Sequence, residues 1–383
     1  MDKKILSAAI AGALAGSMAF AANGDVTLYG QVDLSVDSMD ADGGNDDINM
    51  NSNTSAIGVK GSEDLGNGLK AIFQLEYQID PTGSQAGSAT NASGSTGVTG
   101  ITSGRDQWLG LQGSFGKVRF GTMSTTYKAS GAMIDPMYRT SFQGRDWGLQ
   151  STLHGGGGED GQGRTTNAIA YDSPDFNGFS VAATYSFDED CGIAATATAS
   201  GATGTCPNKD DDSYSLGARY KNGPALVFAD YITSDHGGND DAWKVGGSYA
   251  FGDFKVFGQY EADGGLISST PGVVAAGAAD ATNEGADVWH LGGSFTMGNA
   301  MLYAAYGQGD DDDAAGNSEY DVWTIGGQYS LSKRTMAYAG FQQISCDGNT
   351  GVRCGGALGT ARTALGETGG EVDHFGIGMR HKF

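Results

Sequence analysis

The sequence lacks several features that would place it in the commoner classes of protein. Its 383 residues include only 22 Lys and Arg, six Pro and four Cys. A bundle of transmembrane helices is excluded, because it needs several apolar runs of about 20 residues. Collagen is excluded because proline is rare and the glycines keep no three-residue period. A partnership with nucleic acid is not expected at a pI of 4.3, because phosphate contacts need clustered basic side chains.

Acidic residues and glycine are the abundant types. The 45 Asp and Glu side chains give a formal net charge of −23. Glycine accounts for 65 residues, or about 17% of the chain, against an average of about 7%. The length suits either two ordinary domains or one large β-barrel.

The N-terminus has the organisation of an export signal. Lys3 and Lys4 precede an apolar stretch over 5–20, and Ala19-Phe20-Ala21 forms a small-residue cleavage motif. We therefore predict a signal peptide over residues 1–21, cut after Ala21. The mature chain, 22–383, is predicted to be a single domain.

The four cysteines fall into two pairs that are local in sequence, Cys191 with Cys206 and Cys346 with Cys354. In an oxidising compartment, an even number so arranged favours two disulfides, Cys191–Cys206 and Cys346–Cys354. Other pairings remain open. A metal site is the weaker interpretation, because neither pair has C-x-x-C spacing or a histidine close in sequence.

Beyond residue 24 the chain repeatedly alternates apolar and polar residues. The clearest stretch is 26–36, in which Val26, Leu28, Val32, Leu34 and Val36 share one face, while Thr27, Gln31, Asp33 and Ser35 share the other. This period of two predicts a β-strand with one apolar face. No comparable stretch has a helical period.

Sixteen such segments occur, from 26–36 to 373–383, and their connectors alternate strictly between long and short. Examples of the long connectors are 37–54 and 124–166, and an example of the short ones is Gly252-Asp253. An even number of strands joined in this way is typical of a transmembrane barrel with tight turns at one end and long loops at the other. We therefore predict an all-β fold, a sixteen-stranded antiparallel transmembrane β-barrel.

A soluble β-sandwich is the competing interpretation. The polar faces of the segments carry charged side chains, yet no further elements exist to cover the opposite, apolar faces. Aromatic rings also sit at the segment ends on the apolar face, where they suit a membrane interface: Tyr77, Tyr185, Phe187, Tyr220, Phe251, Phe295, Tyr329 and Phe341. Both observations favour the membrane barrel.

Several motifs resemble those of the Gram-negative general porins, in particular the neisserial and β-proteobacterial trimeric type. They are Val26-Thr27-Leu28-Tyr29-Gly30, the stretches 57–71 and 109–121, Asn167-Ala168-Ile169-Ala170-Tyr171-Asp172-Ser173-Pro174, and the ending 376–383. The resemblance implies an outer-membrane homotrimer in which the third long loop, 124–166, folds inward and narrows the pore. The terminal Phe383 is similar to the signal recognised by the outer-membrane assembly machinery.

The charges divide sharply between connectors and strands. The eight long connectors hold 31 acidic and seven basic residues, which leaves 13 of each sign elsewhere in the mature chain. The third loop is unlike the others, with four residues of each sign. Facing a basic wall, it would create a transverse field across the constriction. The candidate pore-lining residues are Lys60, Arg119, Asp135, Arg139, Arg145, Glu159, Asp160, Arg164, Arg219 and Lys244.

Together these features predict a water-filled channel for passive diffusion of ions and small hydrophilic solutes. A channel selective for one solute, such as phosphate or another anion, is the alternative, and the sequence leaves the choice between cations and anions open. An outer-membrane enzyme or adhesin is the less favoured reading, because the histidines are scattered and no nucleotide or zinc motif occurs. We expect no cofactor and no metal. The acidic loops are interpreted as a solvated surface, with divalent ions as a possible bridge to lipopolysaccharide.

Overall fold

The computed structural model describes residues 24–41, 47–82, 100–144, 164–187, 214–233, 241–263, 286–311, 318–347 and 370–383. The predicted export signal lies outside these residues. Among the described residues, no helix has both the length and the apolar character needed to cross a membrane.

The described chain forms seventeen strand segments and one helix that positions part of the site. The helix is α1, Thr126–Ile134. The strand segments are β1 Gly24–Ala41, β2 Asp47–Ser52, β3 Ala56–Gly66, β4 Leu69–Asp80, β5 Gly100–Gly113, β6 Gly116–Ser124, β7 Arg164–Asp172, β8 Phe179–Ser186, β9 Tyr214–Asn222, β10 Ala225–Thr233, β11 Asp241–Phe251, β12 Phe254–Asp263, β13 Ala286–Met297, β14 Ala300–Asp311, β15 Ser318–Ser330, β16 Thr335–Asp347 and β17 Gly370–Lys382.

These segments pair in sequence order as one antiparallel sheet, which closes where β1 pairs with β17 from Gln31↔Lys382 to Ala41↔Val372. The opposite edge of β1 pairs with β2 over 34–39 and with β3 over 24–31. β2 and β3 are therefore two halves of one barrel strand, interrupted at 53–55. The predicted sixteen-stranded antiparallel barrel is confirmed.

The first long connector is shorter than predicted. We expected a loop over 37–54, but β1 continues to Ala41 and β2 covers 47–52. The reason is that polar residues on the inner face of a barrel resemble loop residues in the sequence. Asp37, for example, is a buried residue of β1 that accepts hydrogen bonds from Ser35 and Asn51. Part of the negative charge assigned to loops therefore lies in strands.

The two faces of the wall have the predicted character. In β1 the side chains of Val26 and Leu28 are largely exposed on the outer face, while Gln31, Asp33 and Ser35 are buried on the inner face. Aromatic rings pair on the outer face near both ends of the strands, for example Phe254 with Phe295, Tyr249 with Phe251, Trp243 with Tyr260 and Trp289 with Tyr306. Amphipathic rings at two levels fit the two interfaces of a membrane.

Short turns join alternate strands, as predicted. Several of them contain glycines with positive φ, for example Gly252 at 64° and Gly298 at 58°. This left-handed conformation carries little steric cost for a residue without Cβ. We refer below to this end of the barrel as the short-turn end.

Candidate functional site

The chain leaves β6 and enters α1 along the inner face of the wall. Thr125 caps the helix, because its side-chain oxygen accepts a hydrogen bond from the amide of Lys128 at 3.2 Å. Arg219 of β9 donates from Nε to Ser130 Oγ and from Nη2 to the carbonyl of Thr126, both at 3.2 Å. The helix is thus held against the polar face of β9.

Lys244 of β11 lies beneath this helix. Its side chain is fully buried, and its Nζ sits 4.0 Å from the centroid of the Tyr127 ring. Its register partners on the two neighbouring strands are acidic, Asp230 and Glu261. Lys244 is therefore on the inner face, as predicted, but α1 separates it from open water, so it does not line the pore.

After α1 the chain turns tightly around Asp135. One carboxylate oxygen accepts from the amide of Met137 at 2.9 Å, and the other accepts from the amide of Gly144 at 3.0 Å. Asp135 thereby ties together the two ends of the segment 135–144. Its role in the structure is first of all to shape this turn.

The turn packs an apolar side against the wall of the lumen. Ile134, Met137 and Phe142 join a buried cluster whose wall members are Phe228, Phe257, Met301, Tyr303, Ala305 and Tyr338. On β17 the ring of His374 stacks on Phe142, with centroids 4.7 Å apart. The apolar core of this protein therefore lies in the lumen, between the loop and β10–β17.

The other side of the turn forms an ion pair with β4, and a residue of β5 binds the same carboxylate. Arg139 Nη2 lies 3.6 Å from Glu76 Oε1. The same carboxylate accepts hydrogen bonds from Arg105 Nε and, at 2.9 Å, from the hydroxyl of Tyr29. The amide of Arg139 donates to Gln143 Oε1 at 3.0 Å, which supports its left-handed backbone, φ 68°. Glu76 is thus the centre of a buried network.

A second polar network joins the turn to β1 and β17. Arg380 Nη1 donates to the carbonyl of Tyr138 at 2.7 Å, and its Nε lies 3.9 Å from Asp33 Oδ2. Tyr338 also donates to Asp33, at 2.6 Å. Four residues after Asp33, on the same face of β1, Asp37 Oδ1 lies 2.9 Å from His374 Nε2.

Residues 125–144 therefore contact the inner faces of β4, β9, β14 and β17. These strands lie on different sides of the closed wall, so a single segment can reach all of them only from inside the lumen. The first half of the predicted inward loop is accordingly a bridge across the barrel. Met133 is the most exposed residue of α1, with 38% of its surface accessible.

The remaining described candidates are spread along the wall. Arg164 pairs with Asp106, Nε to Oδ1 at 3.0 Å. Towards the short-turn end, Arg119 Nη2 pairs with Asp172 at 2.8 Å. Lys60 is exposed, with its Nζ 5.0 Å from the ring centroid of Tyr29. These residues share the inner face, and the Arg164–Asp106 pair lies within electrostatic range of Arg105 and Arg139.

Other predicted residues lie outside the described part of the chain. They are Arg145, Glu159, Asp160, Cys191, Cys206 and Cys354. The backbone of Cys346 belongs to β16, opposite Gly370. Phe383 follows β17, and its backbone exchanges two hydrogen bonds with Gly30 of β1, at 3.1 and 3.2 Å.

Sequence reasoning missed the residues that hold the bridge in place. Arg105, Asp33, Tyr338 and Arg380 were not among the candidates, although alternation places Asp33 and Arg380 on polar faces. The missing information was the level of each residue along the barrel, which depends on register between distant strands. Within the described residues, no three His, Cys, Asp or Glu side chains are grouped so as to hold a metal ion.

Comparison with known proteins agrees with this architecture. A family model described as Gram-negative porin matches residues 7–349. The Major outer membrane protein P.IB of Neisseria meningitidis serogroup A is 27% identical over 396 aligned residues, with 100% of both chains covered. The Outer membrane porin protein 32 of Delftia acidovorans is 34% identical over 193 residues, about half of each chain (49% and 50%).

Among solved structures, an anion-selective porin from Comamonas acidovorans superposes with a TM-score of 0.64 at 25% identity, covering 94% of this chain and 100% of that one. OmpF of Salmonella typhi superposes with the same TM-score of 0.64 at 14% identity, covering 95% and 99%, which bears on the fold alone. The closed sixteen-stranded wall, its polar lumen and these matches lead to one conclusion. The chain belongs to the Gram-negative porin family and forms a channel in the outer membrane.

Proposed function

We propose that this channel carries ions and small hydrophilic solutes by passive diffusion, and that loop 124–166 forms its constriction. The observation that carries the proposal is the bridge made by residues 125–144, which is attached to β9 through Arg219 and to β17 through Arg380. A solute crossing the lumen must pass between this bridge and the uncovered wall. The lumen is lined by polar side chains, so water fills it and polar solutes need no specific site.

We further propose that the channel prefers anions. Arg139 lies at the tip of the bridge, within electrostatic range of Arg380 and Lys382. Buried Arg105 adds a fourth positive charge at this level, against the three carboxylates of Glu76, Asp33 and Asp135. Positive charges at a narrow point raise the local concentration of anions. The similarity to an anion-selective porin supports the same direction.

Two measurements test these proposals. Vesicles containing the purified protein should swell in small sugars, progressively more slowly as the sugar grows, and folded protein that gives no swelling would contradict diffusion. In planar bilayers under a salt gradient, the zero-current potential should have the sign of an anion-preferring channel. Arg139→Gln should move it towards cations.

Arg119→Gln is the matched control for this charge. It removes one positive charge from the same lumen, but near the short-turn end, where Asp172 already pairs with Arg119. The zero-current potential should therefore move less than in Arg139→Gln. Equal shifts would mean that the bridge tip does not determine ion preference.

We propose that the channel assembles as a homotrimer through the outer face of β1–β3. The described outer face of these strands exposes aliphatic side chains, among them Val26, Leu28 and Ile48. Exposed apolar surface of this kind is suited to burial against a second copy of the chain. Chemical cross-linking in detergent should trap a trimer, whereas a protein that remains monomeric would contradict this.

We make four further proposals, on export, membrane insertion, divalent ions and disulfides. The protein is exported through the signal over 1–21, Phe383 directs its insertion by the outer-membrane assembly machinery, and divalent ions link its acidic loops to lipopolysaccharide. The cysteines form the disulfides Cys191–Cys206 and Cys346–Cys354, which peptide mapping without reduction would reveal.

We also infer that the channel has no catalytic activity. Hydrolysis that survives in a variant unable to conduct would contradict that inference.

A further inference from the structure

One arrangement recurs on the inner wall: an aromatic ring lies over a glycine on the next strand. In each case the two residues are direct partners in the register, and a methyl group built on the glycine would lie within 3 Å of the ring. The five pairs are Tyr29–Gly58, Phe228–Gly246, Phe257–Gly292, Tyr303–Gly326 and Tyr338–Gly378. Covering a bare glycine in this way fills the gap that its missing side chain leaves in the wall.

One pair of inner-face glycines in the described strands departs from this arrangement. Gly340 of β16 and Gly376 of β17 are direct partners, so two positions without a side chain lie next to each other. On its other side Gly340 pairs with Gly326 of β15, which Tyr303 covers. The wall therefore has a depression where β16 meets β17. The carboxylate of Asp37 borders it at Gly376, and no ring of a wall strand is among the atoms nearest to either glycine.

The ring of Phe142, from the tip of the loop, occupies this depression. The three atoms nearest to a methyl built on Gly340 all belong to that ring, at 3.0–3.1 Å. A methyl built on Gly376 would meet Asp37 Oδ1 first and then the same ring, at 3.1 Å. His374 stacks on the ring at 4.7 Å, and Tyr303 donates to the carbonyl of Phe142 at 3.4 Å.

We propose that Phe142 and the socket formed by Gly340, Gly376 and His374 are a latch that positions the constriction, and that this latch sets the conductance of the channel. The inference rests on the proposed role of loop 124–166. Phe142 is a positioning residue, because it is buried and touches no permeating solute. It acts through the neighbouring turn, which holds Arg139 in its pair with Glu76.

The physical argument is one of size and shape. Phe142 is the residue that anchors the apolar half of the turn, and the socket has room for its ring only because two glycines face each other. Truncating the ring leaves an apolar void that the turn cannot fill without shifting. Adding a methyl to Gly340 displaces the ring by a few tenths of an ångström, since 3.0 Å is tighter than nine in ten contacts of this kind. Both changes act on the position of the bridge and leave the charged residues in place.

The test is a double-mutant cycle read as single-channel conductance in planar bilayers. Phe142→Ala should raise the unit conductance about 1.5-fold and increase brief fluctuations of the current, because the narrowest section is released. Gly340→Ala should change the conductance when Phe142 is present. It should add nothing in the Phe142→Ala background, since the methyl then meets no ring.

Phe341→Ala is the matched control. It removes a ring of the same size from the residue next to Gly340, but Phe341 faces outward, where it packs on Trp323 and pairs with the exposed Ile325 and Phe375. Its conductance should stay at the wild-type value. Phe142→Leu, which partly refills the socket, should restore most of the wild-type conductance, and it replaces Phe142→Ala if the latter does not fold.

The outcomes separate the two proposals. Folded Phe142→Ala and Gly340→Ala variants that conduct like the wild type, or Phe142 and Phe341 variants with equal effects, would overturn the latch while leaving the channel function intact. Effects of Phe142→Ala and Gly340→Ala that simply add would also overturn it. Failure of the wild-type protein to conduct would instead contradict the proposed function.

Discussion

Replacing Glu76 by Gln should strongly destabilise the folded barrel. The change keeps the size of the side chain and an acceptor for Tyr29, but it removes the charge that faces Arg105 and Arg139. The side chains of Arg105 and Glu76 are only 4% and 7% exposed. Arg105 would therefore be left as a buried, unpaired guanidinium.

Removing one partner of a buried ion pair costs about 3–5 kcal/mol. Because the retained amide oxygen can still accept one hydrogen bond, we expect the lower end, about 3 kcal/mol. The matched control is Asp172→Asn, whose pair with Arg119 is 26% and 17% exposed at the two side chains. A pair of that kind contributes about 0–1 kcal/mol.

The assay is guanidinium unfolding of the purified protein in detergent, followed by tryptophan fluorescence and by the gel shift of folded barrels. A lower midpoint with an unchanged slope reports a loss of stability. If Glu76→Gln and Asp172→Asn lowered the free energy of unfolding equally, the burial of the Glu76 network would not be its source of stability, and the reasoning would fail.

Two further predictions concern the attachments of the bridge and the closure of the barrel. Arg219→Gln should increase brief closures of the channel in planar bilayers, because it removes the donors to Ser130 and Thr126. Lys60→Gln leaves α1 untouched and should not increase them. Phe383→Ala should slow insertion into lipid vesicles, measured by the gel shift over time. The ring of Phe383 packs against Gly30, where a methyl group would lie 2.5 Å from it. Equal insertion rates for the variant and the wild type would contradict this.

Strands and short turns were predictable because their signals are local. Alternation in 26–36 assigns each side chain of β1 to a face, and Gly252-Asp253 marks a turn without reference to any other strand. The same locality explains the error at the end of β1. Asp37 looks like a loop residue until its partners, Ser35, Asn51 and His374, are known.

The site was less predictable because it depends on contacts between distant segments. Lys244 seemed open to the lumen, since nothing in its own strand indicates that Tyr127 covers it. Arg105 meets Glu76 where the register between β4 and β5 shifts, between Leu75 and Tyr77. A strict alternation rule cannot place a residue next to such a shift. The socket of Phe142 requires the pairing of Gly340 with Gly376, which are far apart in sequence.

The central claim is that α1 borders the water-filled passage of the channel. Met133 is the exposed residue of that helix, at 38%, and Val227 of β10 is a residue on the outer face with a larger exposed fraction, 56%. The most direct measurement is the single-channel conductance of Met133→Cys before and after a charged, water-soluble thiol reagent, with the wild type and Val227→Cys as controls. We predict a stepwise drop in conductance for Met133→Cys alone. An unchanged conductance of Met133→Cys, with the reagent shown by mass to be attached, would contradict the account.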